Sequence, residues 1–287
     1  SSATTKLASF MSNWEHTGLL ALTSAPPFGW WIAAYFALAA MASGLILRAS
    51  LPCLIGSDGG SAVGLGKACL WALVALGFGG FCLVADLASP KDFLLTLTHF
   101  NPNSWISIGS RILCVFAALC LAGLAFSPGK DSPSDKPGRV LPLLLINAAL
   151  ALAIYPALVL MQATGRPLWD SALLPAIFLA SAFHLGVSLG PLLCGLSPVK
   201  GIGRVIAGIE LALVAAFVAT KSELLLAEGT WLIWAAAYIA CSFVLPAFMS
   251  NSDERRPSAS AWLVLVGTFI LRFWLLEAGQ SSDAFLS

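Results

Sequence analysis

VLPLLLINAALALAIYPALVLM, residues 140–161, decides how this chain folds. The stretch contains no Asp, Glu, Lys or Arg. A helix of that length, at about 1.5 Å per residue, covers the roughly 30 Å hydrocarbon core of a bilayer. Seven comparable stretches lie around it, at roughly 28–48, 66–86, 106–127, 170–195, 203–222, 230–249 and 260–280. The composition agrees, with 59% hydrophobic and 10% charged residues and a mean hydropathy of +0.89; soluble domains carry about 25% charged residues. Only helices and closed barrels satisfy every backbone group in lipid. Long unbroken apolar runs, rather than alternating segments of about ten residues, exclude the barrel. The expected fold is therefore all-α: a polytopic bundle of eight transmembrane helices forming a single membrane domain over 1–287.

Eight spans place both termini on one side. On the opposite side lie Arg48, Lys67, Lys130, Lys136, Arg139, Lys200, Arg204, Arg255 and Arg256; on the terminal side lie Lys6, Lys91, Arg111, Arg166 and Lys221. Basic residues stay cytoplasmic, so the nine-to-five bias predicts extracytoplasmic termini. Trp14, Trp30, Trp31, Trp105, Trp169 and Trp231 gather near the terminal-side boundary. No short basic segment followed by an A-x-A site marks a cleavable signal peptide. The longest connections, Leu87–Trp105 and the polar Pro/Gly loop Ser127–Arg139, leave no room for a soluble domain.

Ligand counts narrow the function. Haem b in a membrane bundle needs two axial His per haem. The sequence has three His, and of these His16 and His99 fall outside the spans. Seven scattered Cys without a C-x-x-C offer no set for an iron–sulfur cluster or zinc, so no metal site is expected. No phosphate loop or Rossmann glycine pattern is present. A net charge of +1 gives no nucleic-acid signal.

Ionisable groups inside spans are costly and mark functional sites by default. Asp86 closes the second span and Arg111 opens the third at the same level, so the two are expected to meet. His184, Glu210 and Arg272 lie in spans five, six and eight, and Glu210 is the expected partner of Arg272, directly or through water. Asn147 and Tyr155 lie two turns apart in span four, on roughly one face. These groups read either as a proton route or as a polar network holding the bundle.

Four stretches together resemble the NrfD / polysulfide reductase family of membrane subunits. The first is Asp86-Leu-Ala-Ser-Pro90-Lys-Asp-Phe93 with His99-Phe-Asn101-Pro-Asn-Ser104-Trp105-Ile-Ser107-Ile-Gly-Ser-Arg111, similar to D-L-G-x-P-x-x-F followed by F-N-P-x-S-x-x-S. The second is Tyr155-Pro-Ala-Leu-Val-Leu, in place of Y-[ST]-G-x-L-L. The third, Pro167-Leu-Trp169-Asp-Ser171-Ala-Leu-Leu-Pro175-Ala-Ile-Phe178-Leu-Ala-Ser181, resembles P-x-W-x-S-x-x-x-P-x-x-F-x-x-S. The fourth, Gly267-Thr-Phe-Ile-Leu-Arg272 with Ala-Gly279-Gln280, resembles G-G-x-x-x-R followed by A-G-Q. They occur in family order; Ala88, Pro156 and Thr268 depart from the pattern.

The resemblance implies a haem-free anchor, without an iron–sulfur cluster of its own, that binds a quinone (menaquinone or ubiquinone). A ferredoxin-like iron–sulfur subunit would dock above it and relay electrons to or from a molybdenum bis-pterin catalytic subunit. Quinol oxidation releases two electrons and two protons, so the site needs a hydrogen-bond partner and a proton acceptor. Asp86, Arg111, Tyr155 and His16 are the candidates. The competing readings are an ion-coupled secondary transporter, which ordinarily carries paired repeats with broken helices that are not visible here, and a purely structural anchor.

Overall fold

The structure is a computed structural model describing residues 28–55, 62–86, 105–126, 138–163, 166–198, 201–226, 231–252 and 257–281. Long helices account for most of the described residues: α1 Trp30–Ile55, α2 Ala62–Asp86, α3 Trp105–Ala125, α4 Val140–Met161, α5 Leu173–Cys194 and α6 Ile202–Thr220. A five-residue turn, α7 (Ser222–Leu226), follows α6. The next crossing is composite: α8 (Trp231–Ile239), a π-helical turn Ala240–Val244, and α9 (Leu245–Ser252). The last is α10, Pro257–Ser281. Eight crossings are long and apolar enough to span a membrane, as expected from sequence.

The expected bounds agree within a few residues except at α1, which runs on to Ile55 rather than stopping near 48. Arg48 is consequently a buried helix residue, not a loop charge, and donates to the Ser197 carbonyl at 2.5 Å. Lys67 likewise stands within α2.

α1 is the most buried crossing and the composite α8–α9 crossing the least. The α1 run Ala-Leu-Ala-Ala-Met-Ala-Ser-Gly (37–44) supplies the reason for its burial. Helices in lipid gain little from apolar burial and associate where small side chains let backbones approach. A Cβ added at Gly44 would collide with the backbone of Ala182 and Gly186, and one at Gly186 with the backbone of Gly44. These two glycines set the crossing of α1 and α5.

The core divides into two layers along the membrane normal. One holds Leu45, Leu65, Phe116, Leu145 and Leu189. The other, nearer the Trp-rich end, holds Tyr35, Trp169, Phe178, Phe217, Tyr238 and Trp274. Aromatic bulk concentrates at the end that carries most candidate site residues.

Candidate functional site

The motif stretches of α5 and α10 close on each other. Arg272, 1% exposed, donates through Nη2 to the Phe178 carbonyl at 3.1 Å and to Ser181 Oγ at 2.6 Å. Its guanidinium lies 3.5 Å from the centre of the Phe178 ring. Phe178 and Ser181, spaced i, i+3 on one face of α5, therefore form the seat for this cation. One turn further along α10, Trp169 Nε1 donates to the Leu275 carbonyl at 2.8 Å. Gly279 makes room for that indole, because a Cβ there would overlap it. Gly267 similarly accommodates Ser242 of the π-helical turn.

The direct form of the expected contact between Arg272 and Glu210 is corrected. Glu210 is committed elsewhere: Tyr238 donates to Oε1 at 2.8 Å, and His184 Nδ1 lies 2.6 Å from Oε2. Arg272 makes no ion pair with it among the described residues, though Glu210 and Tyr238 stand within Coulombic range of the guanidinium. The reason is direction: Arg272 turns to Phe178 and Ser181 of α5, while both oxygens of Glu210 are taken by His184 of α5 and Tyr238 of α8. The π-helical turn helps build this cluster, since its Phe243 stacks on His184 at 5.5 Å and meets Tyr238 edge-on at 5.5 Å. Single π turns recur at functional sites.

At the Trp-rich end a second group forms. The Tyr155 hydroxyl donates to the Trp105 carbonyl at 2.6 Å. Its ring packs against Gly109, where any Cβ would overlap it. The helix continues through Pro156, so the departure after Tyr155 does not displace the phenol. Asp86, half-buried, points toward the start of α1: a Cβ on Gly29 would sit 3.2 Å from its Oδ1. Tyr35 of α1, within Coulombic range of Tyr155, completes the group.

Two expectations fail here. Asp86 and Arg111 form no ion pair among the described residues, because Asp86 turns toward α1 while Arg111 lies exposed on the side of α3 that faces α4. Asn147 also stays apart: it is exposed, and its amide donates to the Leu143 carbonyl of its own helix at 2.8 Å. His16 and most of the Leu87–Ser104 stretch lie outside the described residues.

Tyr35 was not among the residues singled out from sequence. A signal was available. The sequence has three Tyr, all inside helical crossings, where a phenol needs a polar neighbour. Tyr155 and Tyr238 have theirs, and Tyr35 shares the same logic.

Two grooves flank α3. One, about 330 Å³, runs between α3 and α4 along Ile108, Arg111, Ile112, Val115, Ala148 and Ala151. The other, about 220 Å³, lies among α1, α2 and α3, lined by Tyr35, Leu76, Gly80, Leu83, Ser110 and Cys114 together with neighbouring apolar side chains. Among the described residues no three His, Cys, Asp or Glu side chains gather as a metal-ligand set.

Comparison with known proteins shows the family. The sequence profile of the polysulfide reductase family matches residues 16–286. The protein is also 27% identical over 300 residues to the C subunit of polysulfide reductase from Wolinella succinogenes, an alignment covering 88% of this protein and 94% of that subunit.

Proposed function

The chain belongs to the polysulfide reductase family, and from that premise we propose that it is the haem-free, quinone-binding membrane anchor of a multisubunit respiratory oxidoreductase. In this reading it exchanges electrons between the quinone pool and an iron–sulfur subunit docked on its Trp-rich end. That subunit connects to a catalytic subunit, of molybdenum bis-pterin type, where the terminal substrate reacts.

The observation that carries the reading is the convergence of Asp86, Tyr155 and the Trp105–Arg111 stretch at one end of the bundle, beside apolar grooves that face the lipid. A bound quinone supplies two-electron, two-proton redox chemistry. The protein supplies hydrogen bonds and a proton acceptor. The Tyr155 hydroxyl gives its hydrogen to Trp105, which leaves its oxygen lone pairs to accept from a quinol hydroxyl. Asp86, at the helix end and half-buried, takes the released proton and passes it to water at the membrane boundary. Arg111 lies on the opposite flank of α3, where its charge balances an anionic intermediate or an anionic lipid headgroup. His16 precedes α1, adjacent in sequence to this end, and remains a candidate fourth ligand.

The central cluster takes the holding role in this proposal. Both oxygens of Glu210 are engaged, by Tyr238 and His184, and Arg272 is seated on Phe178 and Ser181.

The test is Asp86→Asn in the assembled complex. A positioned general base contributes about 10²–10⁴-fold in rate, whereas a surface-near carboxylate contributes at most about 1 kcal/mol to stability. Quinol oxidation should fall by that factor with assembly preserved. Parental turnover in the assembled variant would defeat the proposed site.

A further inference from the structure

We propose that the quinone ring enters through the groove among α1, α2 and α3, and that the Tyr35 hydroxyl donates the hydrogen bond that receives it. This deepens the proposed function and rests on it.

The first observation is the state of Tyr35. The residue is 4% exposed, packed in the aromatic core layer. Among the described residues its hydroxyl makes no hydrogen bond, while its side chain lines the groove. The hydroxyl oxygen is not itself fully enclosed but belongs to a side chain that lines the groove, and an unpaired phenol facing apolar side chains and lipid there carries a cost that Phe would avoid. A ligand oxygen in the groove removes that cost. A quinone carbonyl, an acceptor without a hydrogen of its own, matches a hydroxyl donor.

The second observation is the shape of the wall. Gly79 lies under the Tyr35 ring, where a Cβ would come within 3.3 Å of Cδ2. Gly80, one residue on, lines the groove, and a Cβ there would meet nothing within 4 Å. The glycine pair thus seats the phenol with one residue and leaves an open slot with the next. The remaining lining is apolar except for Ser110, whose hydroxyl donates to the Ser107 carbonyl at 2.8 Å. At about 220 Å³ the groove is smaller than the roughly 300–1,000 Å³ pockets that enclose whole drug-sized ligands. That size suits a flat ring whose isoprenoid tail stays among the lipids.

The third observation is direction. Leu76, Gly80 and Leu83 line the groove along one face of α2. Asp86 follows Leu83 at i+3 on that same face. The reduced ring, whose hydroxyl oxygens also accept a hydrogen bond from Tyr35, therefore lies on a line toward the carboxylate assigned to take its proton. The α3–α4 groove is larger, but its polar lining is the exposed Arg111, which suits a lipid headgroup.

The experiment uses the assembled complex in membranes, labelled with a photoreactive azidonaphthoquinone carrying a decyl tail. Labelled peptides are mapped by mass spectrometry, with excess unlabelled decyl-naphthoquinone as competitor. In the parent, competed label should fall on the α1, α2 and α3 residues of this groove. Gly80→Leu fills open space and should assemble normally, yet cut labelling about tenfold or more, the penalty of forcing a ligand into filled volume. Tyr35→Phe should raise the competitor midpoint about 2–10-fold, one hydrogen bond's worth. Ala148→Leu, in the other groove, should label as the parent does. Parental labelling in both Gly80→Leu and Tyr35→Phe, or label mapping to Ile108–Val115 and Ala148–Ala151, overturns this inference and leaves the proposed function standing. A parent complex that neither takes competed label nor oxidises quinol overturns the function, and the inference with it.

Discussion

Arg272 shows how a charge is kept at mid-membrane. An unpaired guanidinium there costs at least about 2.5 kcal/mol, yet this one has no carboxylate at ion-pair distance among the described residues. It is held by a backbone carbonyl, a hydroxyl and an aromatic face. Hydrogen bonds to charged groups contribute about 1.5–3 kcal/mol, and cation–π contacts about 2 kcal/mol when desolvated. Double-mutant cycles should therefore single out α5. Ser181→Ala with Arg272→Gln should be non-additive by about 1 kcal/mol or more in detergent stability. Glu210→Gln should couple more strongly to Tyr238→Phe than to Arg272→Gln. Strict additivity of Ser181→Ala with Arg272→Gln would mean that the hydroxyl does not hold the cation. Sequence reasoning singled out Arg272, Glu210, His184, Phe178 and Ser181 but neither Tyr238 nor Phe243, and it put Glu210 rather than Ser181 nearest the guanidinium. Depth along a helix is countable from sequence; which neighbour a long side chain turns toward depends on helix rotation.

At the scale of the helix, the crossings were legible and their contacts were not. Hydrophobic length alone defines a span in lipid, so 140–161 was recovered to the residue. The direction a helix faces leaves little pattern, because lipid and protein interior are equally apolar; small residues and motif spacing carry what signal exists. Phe178, Ser181, Trp169 and Gly279 belonged to the recognised motifs, and the structure supplies their physical reason. The π-helical turn at Ala240–Val244 carried no visible signal, since its five residues read as ordinary span. The glycines separate these roles experimentally. Gly44→Val drives a branched side chain into the α5 backbone, where overpacking costs about 1–3 kcal/mol or more. The yield of folded protein should fall sharply. Gly77→Val, where an added Cβ meets nothing within 4 Å, should leave yield near parental by fluorescence-detected size exclusion. Equal yields from both would show that α1 and α5 do not depend on this close approach.

Across the whole molecule, the candidate site and the Trp-rich belt share one end, so the side that end faces decides where the partner subunits work. The charge bias predicts the extracytoplasmic side. Arg48 and Lys67 prove to be helix residues rather than loop charges, but positions near span ends still count toward orientation. Leaving out Arg204 and Arg111 as well, which also lie within helices, the opposite side keeps Lys130, Lys136, Arg139, Lys200, Arg255 and Arg256 against Lys6, Lys91, Arg166 and Lys221, six against four. The terminal-side Lys221 is, moreover, tied down: its ammonium donates to the Pro167 carbonyl at 2.7 Å and the Asp170 carbonyl at 2.9 Å. Fusions truncated at residue 228 and at residue 132 report on the two sides. Alkaline phosphatase, which matures only outside the cytoplasm because it needs disulfides, should be active at 228 and inactive at 132. Green fluorescent protein should give the reverse. An active phosphatase at 132 with an inactive one at 228 would turn the bundle over, place the Tyr35–Asp86 end in the cytoplasm and require a cytoplasmic iron–sulfur partner. The intramembrane contacts would be unchanged, but protons from quinol would be released on the other side, with the opposite consequence for the membrane potential.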